Sequence, residues 1–406
     1  MSYPGSVRLH GILQSSFLAG IANHFAVIGL IGIFYAGWGR AAAWSLFFVS
    51  LAYLPSLAID WRLFRNSALL IVALAVGALF SANPEASLSG CWKITLGLCM
   101  FVPGVLWGWH LRRGQFSIVV LVFIFVFGLL HFVFPVAYGG NLVFGFHENL
   151  NIVGRGLTFI LLLLAIAASP LSFQESWNVD RRRKLYSILL CVNILFFGAL
   201  LVIANYRAGW LAFCSYFFMA ILGSERLSRQ SKITFSSCVF GFFAALVIFL
   251  DRKGLGSGSL EERLNMWTRA LDGWLRHHLV FGSGFQSFDL MHHLYYFSGV
   301  TRVFRYPHNI FVEFVFSAGL YGVLVLAIFL LVQIRFFGSS GVLFGEPTSK
   351  ACLAAIIALL VAGQFGMELA SFSYIGGLAA FAGVLYAQRP DTAVLRVSNP
   401  VQKVSD

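Results

Sequence analysis

The stretch IFVEFVFSAGLYGVLVLAIFLLV, residues 310–332, decides the fold class, because it is apolar throughout and carries one charge, Glu313. Roughly 20 such residues in a helix cross the hydrocarbon core of a bilayer. Directly before it stands Tyr306-Pro307-His308-Asn309, which closes the one long hydrophilic interruption of the chain, Asp251 to Tyr306. Outward in both directions, apolar runs of similar length recur. Twelve candidate spans centre near Phe25, Phe48, Ala73, Met100, Ile124, Leu162, Phe196, Ser215, Ala244, Val323, Ala358 and Ala380. Their apolarity is continuous rather than alternating. That predicts helices and not a barrel, since every backbone amide has to find its partner inside lipid. Hydrophobic residues make up 59% of the chain and charged residues 11%, with a mean hydropathy of +0.83, which excludes an ordinary soluble domain. The expected fold is an all-α integral membrane protein of about 12 transmembrane helices. It forms a single bundle over residues 1–406, with a large loop at 251–306 between spans 9 and 10 and a tail at 388–406.

A formal net charge of +12 fits a nucleic-acid partner in the abstract. Its distribution follows topology instead. Seventeen of the 28 basic residues fall in alternate connections and the tails, among them Arg62, Arg65, Arg112, Arg113, the run Arg181 to Lys184, Arg226, Arg229 and Lys232. Outside the long loop the other side holds only Arg40, Lys93, Arg155 and Arg207. By the positive-inside rule both termini are cytoplasmic and the long loop faces outward. The partners expected on this ground are membrane lipids, not nucleic acid. Arg8 followed by an apolar run with Ala19, Gly20 and Ala22 has the look of a signal peptide, but the charge alternation favours an uncleaved first span. Six cysteines lie in or beside spans with no CxxC pair, so neither a disulfide framework nor a zinc site is indicated. The chain has no DxD motif, so divalent-metal phosphate chemistry lacks its usual carboxylates, and no metal or cofactor is expected.

Within the loop, Asp251 to Ser259 is rich in Gly and Ser and reads as mobile. From Glu261 to His278 the pattern changes. Leu264, Trp267, Leu271, Trp274 and Leu275 recur at helical spacing, while Glu261, Glu262, Arg269, Asp272 and Arg276 take the other sides. This amphipathic helix suits either the lipid headgroup level or a lid packed on the bundle.

Several polar residues sit where they can carry chemistry. Pro307 suits the first position of a helix, which puts His308 at a helix N-terminus. The positive end of the dipole disfavours imidazolium, so His308 stays neutral near pH 7 and is either a general base or an interfacial cap. Glu313 lies five residues on and turns through roughly 500 degrees at 3.6 residues per turn, away from His308 and onto the face of Asn309. An acid inside a membrane helix needs a partner, and a structural pairing with an arginine is expected. Arg207 lies in Asn205-Tyr206-Arg207-Ala208-Gly209-Trp210, where one span ends outside and the next begins. Its guanidinium and the free N–H groups of the new helix converge on one spot, a site for phosphate; the alternative is an arginine snorkelling at the interface. Arg263 stands one turn before Trp267, and Arg302 and Arg305 shortly precede the Pro-His pair. Together with Arg207 they make an outward cationic site suited to a lipid-linked diphosphate. Gly282-Ser283-Gly284-Phe285 lacks a βαβ context and reads as a turn. His277-His278 and His292-His293 are adjacent pairs that point apart. His147-Glu148-Asn149 with Asn151 and Arg155 forms a further polar outer segment, either lining the same cavity or simply connecting two spans.

The order of these features resembles the O-antigen ligase and polymerase superfamily. It comprises an outward Arg-Ala-Gly-Trp after a span, Arg263 four residues before Trp267 in a long outer loop, Phe281-Gly282-Ser283-Gly284-Phe285, and Tyr306-Pro307-His308-Asn309 opening a helix. The likeness covers the second half of the chain; the first half agrees in span count and in a polar Asn83-Pro84-Glu85 turn. The resemblance implies a membrane glycosyltransferase of the large metal-independent class (GT-C-like), in the bacterial inner membrane with its active site facing the periplasm. The donor it implies is an undecaprenyl-diphosphate-linked glycan. His308 would deprotonate the acceptor hydroxyl, Arg207 and Arg263 would bind the diphosphate, and Arg302, Arg305, Tyr306, Asn309 and Trp267 would line the substrate site. Members that glycosylate proteins often carry an extra C-terminal domain, whereas this chain ends shortly after its last span. The expectation is therefore a ligase acting on lipid A-core, with a polymerase or protein oligosaccharyltransferase as alternatives and a lipid-linked sugar transporter as the reading from another class.

Overall fold

The computed structural model describes residues 28–30, 43–48, 60–112, 118–133, 137–138, 141–142, 150–169, 180–203, 206–224, 227–252, 257–288, 307–339, 346–364 and 372–389. Its helices, in chain order, are α1 (Trp61–Leu79), α2 (Pro84–Cys99), α3 (Phe101–Arg112), α4 (Ile118–Val133), α5 (Leu150–Ala168), α6 (Asp180–Ile203), α7 (Arg207–Gly223), α8 (Arg229–Arg252), α9 (Ser257–His277), α10 (Ile310–Ser339), α11 (Pro347–Gly363) and α12 (Phe372–Ala387). The ten expected span centres from Ala73 to Ala380 all lie in or at the ends of these helices, while those near Phe25 and Phe48 fall where only short pieces are described. Three stretches among the described residues are long and apolar enough to cross a membrane: Pro84–Gly108, Lys184–Leu201 and Ile310–Ser339. Arg65–Leu79, Gly154–Ala168, Arg207–Gly223, Pro347–Gly363 and Tyr374–Ala387 are shorter apolar helices.

One feature departs from the all-helical expectation. Ala137–Tyr138 (β1) and Asn141–Leu142 (β2) pair antiparallel, Ala137 opposite Leu142 and Tyr138 opposite Asn141. The span expected around Met100 is also divided there into α2 and α3. Pro103, early in α3, has no N–H to continue the ladder of α2.

Small residues set the closest helix crossings. An added Cβ on Gly104 or Gly108 of α3 would fall on the backbone of Ala380 or Val384, and one on Gly383 of α12 would fall on the Phe101 carbonyl. Helices without a hydrophobic driving force between them associate through such close approach. Helices α7 and α11 also pack closely, and each carries buried small residues, Ala208 and Ala212 on α7 and Ala351, Ala355, Ala358 and Ala362 on α11. Helix α5 is buried all round from Leu157 to Ala167, as a helix with no polar stripe must be at the centre of a bundle. Phe159 of α5 stacks on Phe381 of α12 at 5.2 Å. Buried Asn193 of α6 donates its amide N–H groups to the Leu121 carbonyl of α4 at 3.2 Å and to the Leu189 carbonyl of its own helix at 2.8 Å, a polar tie between two helices. Conversely α10 leaves Leu320, Leu324, Ile328, Leu331 and Ile334 exposed, an apolar surface suited to lipid.

Helix α10 is broken once, at Gly319 with φ +62°. The segment after α9 fills the break. Ser283 and Gly284 donate their N–H groups to the carbonyls of Phe316 and Ser317 at 2.8 and 2.9 Å, and Leu320 and Tyr321 donate to those of Leu279 and Val280 at 3.0 Å each. The freed helix groups are therefore satisfied inside the bundle. Glycine is required on both partners: Gly282 has φ +72°, and a Cβ there would land on the Ser317 carbonyl, as one on Gly319 would on that of Val280. The Gly282 to Phe285 turn read from sequence is present, and it also splices the loop into a membrane helix.

Candidate active site

His308 lies just before α10, in a conformation that sequence periodicity does not foretell. Asn309, not Pro307, starts the helix: its Oδ1 accepts from the N–H groups of Phe311 and Val312 at 3.0 and 3.1 Å. An asparagine side chain satisfies two free helix donors at once, whereas proline at the first position only avoids creating one. Pro307 is thus two residues outside the helix, and His308 occupies the turn between them with φ +55°. Histidine is one of the few residues that enter this left-handed region, and such outliers cluster at functional sites. Because His308 is not helical, the angular argument separating it from Glu313 does not apply. Glu313 is buried in the first turn of α10, its N–H donating to the Asn309 carbonyl at 2.9 Å.

Helix α9 brings the second group. It begins at Ser257, inside the stretch read as mobile, and α8 extends to Arg252. Its docked face also differs from the expected one. Met266 and Ala270 are buried with Phe288 and Phe316, with Trp267, Trp274 and Val312 packed around them, and Gly273 is buried too, whereas Leu264 and Leu275 are 49% and 57% exposed. A small residue, Ala270, stands where α9 meets this cluster, a place a leucine would overfill. Trp267 donates its indole Nε1–H to the Pro307 carbonyl at 2.7 Å, and Trp274 donates to the Leu279 carbonyl at 3.1 Å. Arg263, one turn before Trp267, is half-buried, and its charge acts on His308. On the far side, Arg276 pairs with Asp272 at 2.8 Å in solvent.

The charge of Arg155 on α5 also reaches His308. Burial holds the imidazole neutral, and the Arg263 and Arg155 guanidiniums add to it, bringing its pKa down to about 4. Gly154 carries the wall of the site over to α7: a Cβ there would fall on the Tyr206 ring, and a Cβ on Gly209 would strike the Thr158 hydroxyl. Arg207, half-buried at the first position of α7, follows Tyr206 directly. Tyr206 gives no side-chain cap to α7. Ile310 at the start of α10 meets Gly363 at the end of α11, the partner of α7. One end of the bundle therefore gathers the starts of α5, α7 and α10 and the first turns of α9.

Of the residues singled out in the sequence, His308 and Arg263 are brought together. Arg207 joins the same end through Tyr206 and Gly154. Asn309 caps α10, and Trp267 bonds the backbone beside His308. Arg302, Arg305 and Tyr306 lie outside the described residues, as do His147, Glu148 and Asn149. Arg155 is the residue whose place the sequence left open. Its signal was an arginine on the side of the membrane that the positive-inside rule depletes. Among the described residues no group of three His, Cys, Asp or Glu is arranged to hold a metal ion, and the site's charge comes from arginine.

A protein-family model described as O-antigen ligase matches residues 191–327, which supports membership of the O-antigen ligase superfamily. The matched stretch runs from α6 into α10, so it contains Arg207, Arg263, Trp267, His308 and Asn309, while Arg155 lies outside it. No curated protein matches the chain.

Proposed function

We propose that this chain is a membrane glycosyltransferase that moves a glycan from undecaprenyl diphosphate to a sugar hydroxyl of lipid A-core, at the periplasmic face of the bacterial inner membrane. In this scheme the bundle has about twelve spans with both termini cytoplasmic, and the 251–306 loop covers the outer mouth. The acceptor hydroxyl oxygen attacks the anomeric carbon from the face opposite the diphosphate, its proton passes to the neutral imidazole of His308, and the bond from carbon to phosphate oxygen breaks with inversion. Arg207, Arg263 and Arg155 bind the diphosphate and stabilise the charge that grows on it as it leaves, so the arginines do the work a metal does elsewhere.

The observation that carries this reading is a half-buried histidine held in a left-handed turn at the start of a membrane helix, on which the charges of two arginines from separate elements act to keep it neutral. A base beside fixed cations suits an acid–base step on a substrate whose leaving group is an anion. Polymerisation of the glycan on its own carrier uses the same chemistry with a different acceptor, and the family match accommodates it.

The test is reconstitution of the purified, EDTA-treated protein with undecaprenyl-diphosphate-linked glycan and lipid A-core, beside His308→Ala. Product on lipid A-core with wild type alone supports the ligase. Elongation of the donor alone would make it a polymerase, and no product with either acceptor would favour transport.

A further inference from the structure

We infer that Trp267 is a positioning residue, whose indole N–H holds the Pro307–His308 turn in register with Arg263 and so couples the base to the cation across two elements. The inference rests on the proposed transfer reaction. Its basis is the 2.7 Å hydrogen bond from Trp267 Nε1 to the Pro307 carbonyl, the bond that ties α9 to the backbone next to His308. Pro307 is buried, so its carbonyl depends on a protein donor. Asn309 fixes the other side of His308 by capping α10. Between these two anchors the single residue His308 takes a left-handed conformation, which neighbouring contacts must impose.

Further along α9 a second tie repeats the device. Trp274 bonds the Leu279 carbonyl, and the segment that follows is paired to the break of α10 at Gly319. Met266, next to the first tie, and Ala270, between the two, pack in one cluster with Phe316 and Phe288. Helix α9 and the first turns of α10 thus form one unit, and Arg263 sits on it one helical turn from Trp267. In this arrangement the tryptophan acts on the chemistry through His308, as a group that sets its place and not as a surface for the sugar.

The experiment compares full-length wild type with Trp267→Phe, which keeps an aromatic ring and loses the N–H, in the reconstituted transfer assay. Expected are a fall in kcat of about 100-fold, the scale of a misplaced catalytic group, a KM for donor within about twofold of wild type, and an acid limb of kcat/KM moved upward as His308 hydrates. The charges acting on His308 are Arg263 from α9 and Arg155 from α5. Unchanged kcat with an unchanged limb overturns the inference, and so does a loss carried by KM alone, which would make Trp267 a donor contact. Should Trp267→Phe fail to fold, benzothienylalanine at 267 replaces the indole N–H by sulfur in the same shape. Loss of turnover there supports the inference and full turnover overturns it. Should wild type make no product, the proposed reaction falls while the inference is still judged: the titration of His308 by NMR either moves up in Trp267→Phe or, staying where it is, refutes the tie.

Discussion

Replacing Arg263 by glutamine removes one guanidinium from the field on His308 and leaves the other. The imidazole is brought from its ordinary 6.5 to about 4, which corresponds to roughly 3 kcal/mol against the imidazolium. Burial is the largest of the three causes, followed by Arg263 and then Arg155, so Arg263 accounts for less than half of the whole. That bounds its share at about 1.5 kcal/mol, or roughly one pH unit. Because a base works only unprotonated, the wild-type kcat/KM should be flat from pH 8 down to about 5 and fall through a midpoint near 4. In Arg263→Gln the midpoint should rise by up to about one unit, and the plateau should drop roughly 10- to 100-fold through loss of a charged contact to the diphosphate. The limb of kcat, measured with donor bound, should lie above that of kcat/KM, since the diphosphate's negative charge offsets the arginines and strengthens the base. The assay is initial-rate transfer in detergent micelles over pH 3.5 to 8 with stability checked at each point. A wild-type midpoint at the ordinary histidine value, or a midpoint that stays put or moves down in Arg263→Gln, would refute the reasoning.

Other substitutions test separate parts of the site. His308→Ala should lose transfer by roughly 100- to 10,000-fold while still binding the diphosphate donor, and near-normal turnover would remove it as the base. Arg207→Lys should be severely impaired because an ammonium cannot reproduce the guanidinium fork on phosphate; full activity would mean that charge alone suffices. Arg155→Gln should move the acid limb in the same direction as Arg263→Gln but less far, since Arg155 is the smaller of the two charge contributions, and a wild-type profile would separate it from the site. Gly282→Ala should lower the thermal midpoint of the purified protein by the equivalent of about 1–3 kcal/mol, as its Cβ meets the Ser317 carbonyl at φ +72°. Gly198→Ala, with nothing within 4 Å of the added carbon, is the matched control and should be tolerated.

The chemistry requires a cation and a base from different elements to stay in one geometry beside a membrane, and the fold meets that requirement through backbone bonds. Helix α9 is tied at Pro307 and, through the segment that follows it, to the broken turn at Gly319. A loop attached only at its ends would let Arg263 wander by several ångströms relative to His308, and effects on rate are steep at that scale.

The sequence by itself determined the helical membrane fold, because crossing lipid demands long runs of one chemical character, and such runs are visible residue by residue. It also singled out His308, Arg207 and Arg263 as candidates, since their signals are local: a Pro-His-Asn before an apolar run, an arginine where the charge rule disfavours one, and an arginine one turn before a tryptophan. Tertiary structure alone decided what depends on complementary surfaces far apart in the chain. Leu264 and Met266 are equally apolar on paper, yet Met266 is buried and Leu264 exposed, because the face that docks is the one carrying Met266 and Ala270 against Phe288 and Phe316. Asn309 displaced Pro307 as the start of α10 by a side-chain bond that periodicity does not encode. The union of Gly282 with the break at Gly319 joins two segments whose glycines each look like ordinary turn or packing residues. Arg155 acts on His308 from more than 150 positions away along the chain, a distance closed by the packing of α5 against α7 and α11 and of the start of α10 against the end of α11. Patterns of a few residues report a helix and its solvent, whereas the partner of a buried charge is chosen by the packing of whole helices.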